Sequence, residues 1–195
     1  MGFAISWFAV QGQEPRKVQE TLGLAPTGRT EGIPESPTVC AELPDGWFLV
    51  FANRFDSPLL SERTLSTVSA GCRLIACQVE EHVMYSVAAC YENGRKVWWV
   101  EHDAQQSIYH IAADGELPEG FHALYDTLRR EQDAEGGEKA DVDFIHDVPV
   151  TLAQNITRFR HDETVPGVPD VPYAVLEPIG QTNGHAPGKA WWKLW

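Results

Sequence analysis

The sequence VEEHVMYSVAACYENGRKVWWVEHDAQQ, residues 79–106, decides the fold of this chain. The dipeptide Asn93-Gly94 separates two runs of apolar and aromatic residues. Asn-Gly is the strongest short-range signal for a two-residue β-hairpin, because both turn positions need a positive φ. Together with the apolar run that precedes it, this hairpin predicts a three-stranded antiparallel meander over residues 72–79, 83–92 and 95–102.

The register of the hairpin follows by counting outward from the two turn residues. This count places Tyr85 opposite His102 on one side of the sheet and Ser86 opposite Glu101 on the other. Both sides are apolar along much of their length. The pattern therefore indicates a central hairpin that is covered, at least in part, on both faces.

The rest of the chain predicts strands and helices joined mostly by tight turns. Helices are predicted at 15–22, from a cap at Ser61 to a point before Gly71, at 119–133 and from Pro149 onward. Strands are predicted at 3–10, in a hairpin over 38–54, at 108–112 and at 142–146. An edge strand is predicted at 173–176, and the proline- and glycine-rich residues 24–37 allow at most a short strand. Because hairpins dominate, the sequence predicts an α+β fold, with a mainly antiparallel sheet built from hairpins and about four helices packed on it.

Length and composition predict one folded domain followed by a tail. The 195 residues are 43% hydrophobic and 22% charged, which is typical of globular proteins. We expect residues 1–178 to form a single α+β domain and residues 179–195 to form a Gly/Pro linker and an extended, Trp-rich tail. The four cysteines have no zinc-site spacing, which favours buried thiols. The first residues lack a basic leader and a cleavage site, so a cytoplasmic location is expected.

The acidic balance of the chain limits the kinds of partner it can bind. Fifteen Lys and Arg residues stand against 28 Asp and Glu residues, which gives a formal net charge of −13. Such a charge repels a phosphate backbone and an anionic bilayer, so we expect neither nucleic-acid binding nor membrane binding. The charge favours a basic protein partner.

Acidic residues and histidines cluster at the ends of the central hairpin and form the best candidate for chemistry. Carboxylates beside an imidazole are suited to acid–base catalysis or to binding a divalent metal ion. The candidate catalytic residues are His102, Glu101 and Glu81, and the candidate metal ligands are His82, His102 and Asp103. The alternative interpretation is a solvated hairpin end in which His102 is hydrogen-bonded to Tyr85.

Two further histidines stand beside aspartates in the sequence. His146 precedes Asp147 and His161 precedes Asp162, an arrangement that is common on protein surfaces. We therefore expect both to be surface residues rather than members of a site.

The last five residues contain three tryptophans, Trp191, Trp192 and Trp195. Their apolar area is costly to leave in water, at about 25 cal/mol per Å². The tail therefore predicts a contact, either with the protein's own sheet or with a partner for which these residues are the binding anchors. A shallow contact with a membrane is a third option, opposed by the acidic charge of the preceding chain.

These observations lead to two hypotheses about function. The leading one is a cytoplasmic acidic protein-binding module, such as an inhibitor or immunity-type protein that acts by contact with a basic partner. It needs no cofactor. The alternative is a small metal-assisted hydrolase that uses the acid–histidine cluster with a divalent metal ion.

Overall fold

A computed structural model describes residues 2–165 and 171–180. Within these residues there are four α-helices and nine strands. The helices are α1 (Pro15–Leu22), α2 (Glu62–Val68), α3 (Phe121–Ala134) and α4 (Asp147–Thr157). The strands are β1 (Ala4–Gln11), β2 (Leu24–Glu31), β3 (Thr38–Glu42), β4 (Trp47–Ala52), β5 (Arg73–Glu80), β6 (Tyr85–Glu92), β7 (Arg95–Asp103), β8 (Ala112–Gly115) and β9 (Tyr173–Pro178).

The nine strands form one sheet in the order β2-β9-β3-β4-β1-β5-β6-β7-β8, and all pairs are antiparallel. Alternate residues of each strand point to opposite faces, and each face has its own apolar core. Helices α3 and α4 cover the first face, where Trp7 and Phe159 pack edge to face at 5.1 Å. Helices α1 and α2 cover part of the second face through Val18 and Leu65. The predicted α+β class is therefore confirmed.

Local sequence signals place most elements where they were predicted. Ser61 accepts a hydrogen bond from the backbone of Thr64 and so caps α2. Gly23 ends α1 in the left-handed conformation, with φ of 68°. The tight turn at Pro44–Gly46 joins β3 to β4, as predicted for the hairpin over 38–54.

The predicted register of the central hairpin is wrong by one residue beyond a β-bulge near Val97. The pairing starts as expected, with Glu92 opposite Arg95, but Ser86 lies opposite His102. The backbone of Val97 is engaged just beyond β8, because its carbonyl oxygen accepts a hydrogen bond from the Glu116 amide at 3.0 Å. The extra residue reverses the face of every side chain that follows it in β7.

The segment 142–146, predicted as a strand, is irregular because a helix side chain satisfies its backbone. Gln132 of α3 is fully buried. Its amide group donates to the carbonyl oxygens of Gly137 and Val142, and its own carbonyl oxygen accepts from the Phe144 amide, at 2.8–3.0 Å. The bonds to Val142 and Phe144 replace bonds that a neighbouring strand would have made to this segment.

Three other strand predictions are also corrected. Residues 24–31 form a full strand, β2, despite Pro26, because Pro26 and Gly28 lie within an irregularity in its pairing with β9. Strand β9 is consequently not an edge strand, since it pairs with β2 on one side and β3 on the other. The strand predicted at 108–112 corresponds to β8, which begins at Ala112 and ends at Gly115.

Part of the expected architecture lies outside the described residues. The tail predicted over residues 179–195 is described only at positions 179 and 180, and Trp191, Trp192 and Trp195 are not described. Across the described part of the chain, no helix combines the length and the apolar character that crossing a membrane requires.

Candidate functional site

The reversed register turns His102 into the core beneath helix α4. Its side chain is fully buried, and its ring lies edge to face with His146 at 6.1 Å. Nδ1 contacts the carbonyl oxygen of His110 at 2.8 Å, and Nε2 contacts Oδ2 of Asp143 at 2.9 Å. Asp143 also accepts from the His146 amide at 3.1 Å. His102 therefore joins the sheet to the segment that leads into α4.

The two hydrogen bonds of His102 involve both of its ring nitrogens. A carbonyl oxygen can only accept, so Nδ1 must carry a hydrogen. Nε2 faces a carboxyl group, so one further proton lies between Nε2 and Asp143. Both ring nitrogens of His102 are therefore engaged. Neither nitrogen is available to a substrate or a metal ion unless one of these bonds breaks.

Two other histidines of this end of the sheet are also buried, contrary to the surface positions expected for them. His146 is 4% exposed, and the side chain of His161 is 2% exposed. Nε2 of His146 and both ring nitrogens of His161 have no hydrogen-bond partner within the described structure. The nearest carboxylate to His161 belongs to Glu81, at 3.8 Å from Nε2.

Burial lowers the pKa of His161 from its ordinary value of 6.5, although the carboxylates of Asp162 and Glu81 partly oppose this effect. Arg160, next in sequence, lowers it further. The native state therefore keeps this ring neutral at a pH where the unfolded chain binds a proton.

We expect this burial to make the protein less stable in weak acid. Below pH 6.5 the unfolded state binds more protons at His161 than the native state does. The stability that comes from keeping His161 neutral is therefore complete above pH 6.5, and it is lost as the pH falls through the native pKa. His161→Phe keeps the edge-to-face contact with Phe3 but cannot titrate. Denaturant unfolding at pH 7.5 and pH 5 should show a larger loss for the natural protein than for the variant. Equal losses would contradict the assignment.

The same bulge turns Trp99 and Glu101 to the opposite face, where they line a groove of about 310 Å³. Val87, Ala89 and Trp99 form its half-exposed floor on β6 and β7. Helix α2 lies toward the Asn-Gly turn, and Leu60 before it forms part of one wall. We call this surface the sheet groove.

Polar groups surround the apolar floor of the sheet groove. Glu62 and Lys96 are 3.6 Å apart at one end, and Glu101 at the other end accepts a hydrogen bond from the Tyr85 hydroxyl at 2.7 Å. Among the described residues, no cationic side chain forms an ion pair with Glu101. Burial, with a smaller contribution from Glu62, raises the pKa of Tyr91 to about 12, so this phenol stays protonated at neutral pH.

The structure separates the residues predicted to act together. His102 lies in the core of the first face, whereas Glu101 points to the sheet groove. The exposed His82 ring contacts Glu80 at 2.6 Å, and Glu81 accepts from the Phe3 amide at 2.8 Å. Asp103 is bonded to the backbone of Gln105 and the side chain of Gln106. The hydrogen bond expected between His102 and Tyr85 is not formed, because Tyr85 donates to Glu101 instead.

The predicted metal ligands do not converge in the described structure. Among residues 2–165 and 171–180, no group of three or more His, Cys, Asp or Glu side chains is arranged to hold a metal ion. This geometry adds no support to the metal-binding hypothesis for His82, His102 and Asp103. It also adds none to the catalytic hypothesis for Glu81, Glu101 and His102.

Sequence reasoning did not identify the partners of His102 or the sheet groove. Asp143 and His146 are about 40 positions away in sequence, and no local pattern relates them to His102. The groove depends on which face Trp99 occupies, and a single bulge residue decides that. Comparison with protein-family models, with curated proteins and with solved structures finds no significant match.

Proposed function

We propose that this protein binds a partner protein and that the sheet groove receives a basic segment of that partner. The observation that carries the proposal is the half-exposed apolar floor of Val87, Ala89 and Trp99, with the carboxylates of Glu62 and Glu101 at its ends. Apolar surface rimmed by polar groups is typical of binding sites. A tryptophan at the centre of such a surface is the residue type that most often dominates binding energy.

The net charge of the chain supports a basic partner rather than an acidic one. At −13, the field of the whole protein accelerates association with a cation and opposes association with nucleic acid. An inhibitor or immunity-type protein that covers a basic enzyme has this chemistry. We place this function in the cytoplasm, where a reducing environment keeps the four buried cysteines as free thiols.

The metal-assisted hydrolase has less support from the geometry. His102 is enclosed, both of its ring nitrogens are engaged, and Glu101 lies on the other face of the sheet. A general base must reach the proton that it abstracts, directly or through one water. In the described structure His102 can do so only after the bond to Asp143 or to His110 breaks.

The proposal predicts that Trp99→Ala weakens binding of a basic peptide at least about tenfold, because truncation of a central aromatic anchor commonly costs more than 1–2 kcal/mol. The probe is a short synthetic peptide of lysine and leucine with one tryptophan. Titration of the isotope-labelled protein should shift the NMR signals of Val87, Ala89 and the Trp99 indole.

Two controls separate groove binding from general attraction to an acidic surface. Ile33→Ala removes an apolar side chain that is 74% exposed and lies outside the groove, and it should leave the affinity unchanged. A peptide with glutamate in place of lysine should bind weakly. If the basic peptide shifted signals all over the surface, or bound the Trp99→Ala variant equally well, the proposed function would be rejected.

A further inference from the structure

We propose that residues 191–195 of this chain occupy its own sheet groove and compete there with the partner segment. This inference rests on the proposed function, because it assigns an intramolecular competitor to the same surface. Three observations support it: the position of strand β9 relative to the groove, the length of chain beyond β9, and the chemistry of that chain.

Strand β9 contributes side chains to the face of the sheet that carries the groove. Cross-strand pairs connect Ala174 of β9 with Trp99 of β7 in one row, through Cys40, Val50, Phe8, Ala76 and Ala89. Paired residues point to the same face, so Ala174 and Trp99 share the face that carries the groove. Ala174 and Ala89 both border the core of that face.

The chain beyond β9 is long enough to reach the groove. The residues that line the groove extend from β5 to β7, which are four and six strand spacings from β9. At about 4.8 Å per spacing, these distances are roughly 19 and 29 Å. Residues 181–190 can span at most about 33–36 Å when extended, which is sufficient to deliver Trp191 to the groove.

The chemistry of the segment matches that of the groove. Residues 181–195 contain Lys189 and Lys193 and no acidic residue, although the chain as a whole has a net charge of −13. The groove offers the carboxylate of Glu101 at one end of an apolar floor, and Glu62 beside Lys96 at the other end. Three tryptophans with two lysines thus form a basic aromatic segment of the kind that the proposed function requires.

The test compares the natural full-length protein with the full-length variant Trp191→Ala, Trp192→Ala, Trp195→Ala. We expect the NMR signals of Val87, Ala89 and the Trp99 indole to differ between the two proteins. We also expect the basic peptide to bind the variant at least threefold more tightly, because its competitor is gone. Alanine at Gln181, Thr182 and Asn183 serves as the matched control and should change neither the signals nor the affinity.

The outcomes distinguish this inference from the proposed function. If the peptide binds the groove of both proteins with equal affinity and the groove signals coincide, the inference is overturned and the proposed function stands. If the groove signals differ but the peptide binds neither protein, the tail occupies the groove and the partner-binding function is rejected. Differences that disappear on dilution would assign the groove to the tail of a second copy and overturn the intramolecular proposal.

Discussion

Replacing His102 by alanine is expected to lower the free energy of unfolding by about 3–5 kcal/mol, because it removes one member of a buried pair and leaves the other without compensation. The side chain of Asp143 is only 7% exposed and would lose its partner at Nε2. The carbonyl oxygen of His110 would lose its donor at the same time. Equilibrium unfolding in urea, followed by tryptophan fluorescence, measures the loss.

A double-mutant cycle separates the pair from the cavity that alanine creates. Asp143→Ala alone should also be destabilising, and the double variant should cost clearly less than the sum of the two single changes, since removing both partners leaves no unpaired group. His122→Ala is the matched control, because His122 is exposed on α3. Additive costs, or a loss below about 1 kcal/mol for His102→Ala, would show that the hydrogen bonds are not formed in solution.

Gln132→Ala is expected to lower the free energy of unfolding by about 2–4 kcal/mol. The buried side chain makes three hydrogen bonds to the backbone of residues 137–144, and alanine would leave the Phe144 amide and two carbonyl oxygens without these partners. Residue 144 is next to Asp143, so the loss should also loosen the contact with His102. Thermal and urea unfolding measure the stability, and hydrogen exchange at the Phe144 amide measures the local loss.

The neighbouring variant Glu131→Ala controls for the change of helix composition. Glu131 is an exposed residue of the same helix, and its replacement should stay within about 0.5 kcal/mol of the natural protein. If Gln132→Ala were equally mild, or if exchange of the Phe144 amide did not accelerate, the side chain would not be holding this segment.

Much of the fold could be predicted because its signals are local. Asn93-Gly94 predicts its hairpin from two residues, Ser61 caps α2 through its own side chain, and Gly23 ends α1 by its conformational freedom. The predictions that failed depend on partners distant in sequence. Segment 142–146 has the composition of a strand, yet the bonds of Gln132 make a neighbouring strand unnecessary.

The candidate site was harder to predict because its geometry depends on a count of residues along β7. One bulge near Val97 exchanges the two faces of the strand, so His102 moves into the core and Trp99 and Glu101 move to the groove. The Val97 carbonyl group at this bulge bonds to the Glu116 amide, a partner that the hairpin sequence alone does not reveal. A correct hairpin turn therefore did not guarantee a correct site.

Ring-to-ring nuclear Overhauser effects in the natural protein measure the register of β7 beyond the bulge directly. We expect contacts between the rings of His102 and His146, whose centroids are 6.1 Å apart, and between those of Tyr85 and Phe55, at 5.5 Å. We expect none between His102 and Tyr85. Strong contacts between His102 and Tyr85, with none to His146, would place the histidine on the groove face and contradict both the buried pair and the proposed binding surface.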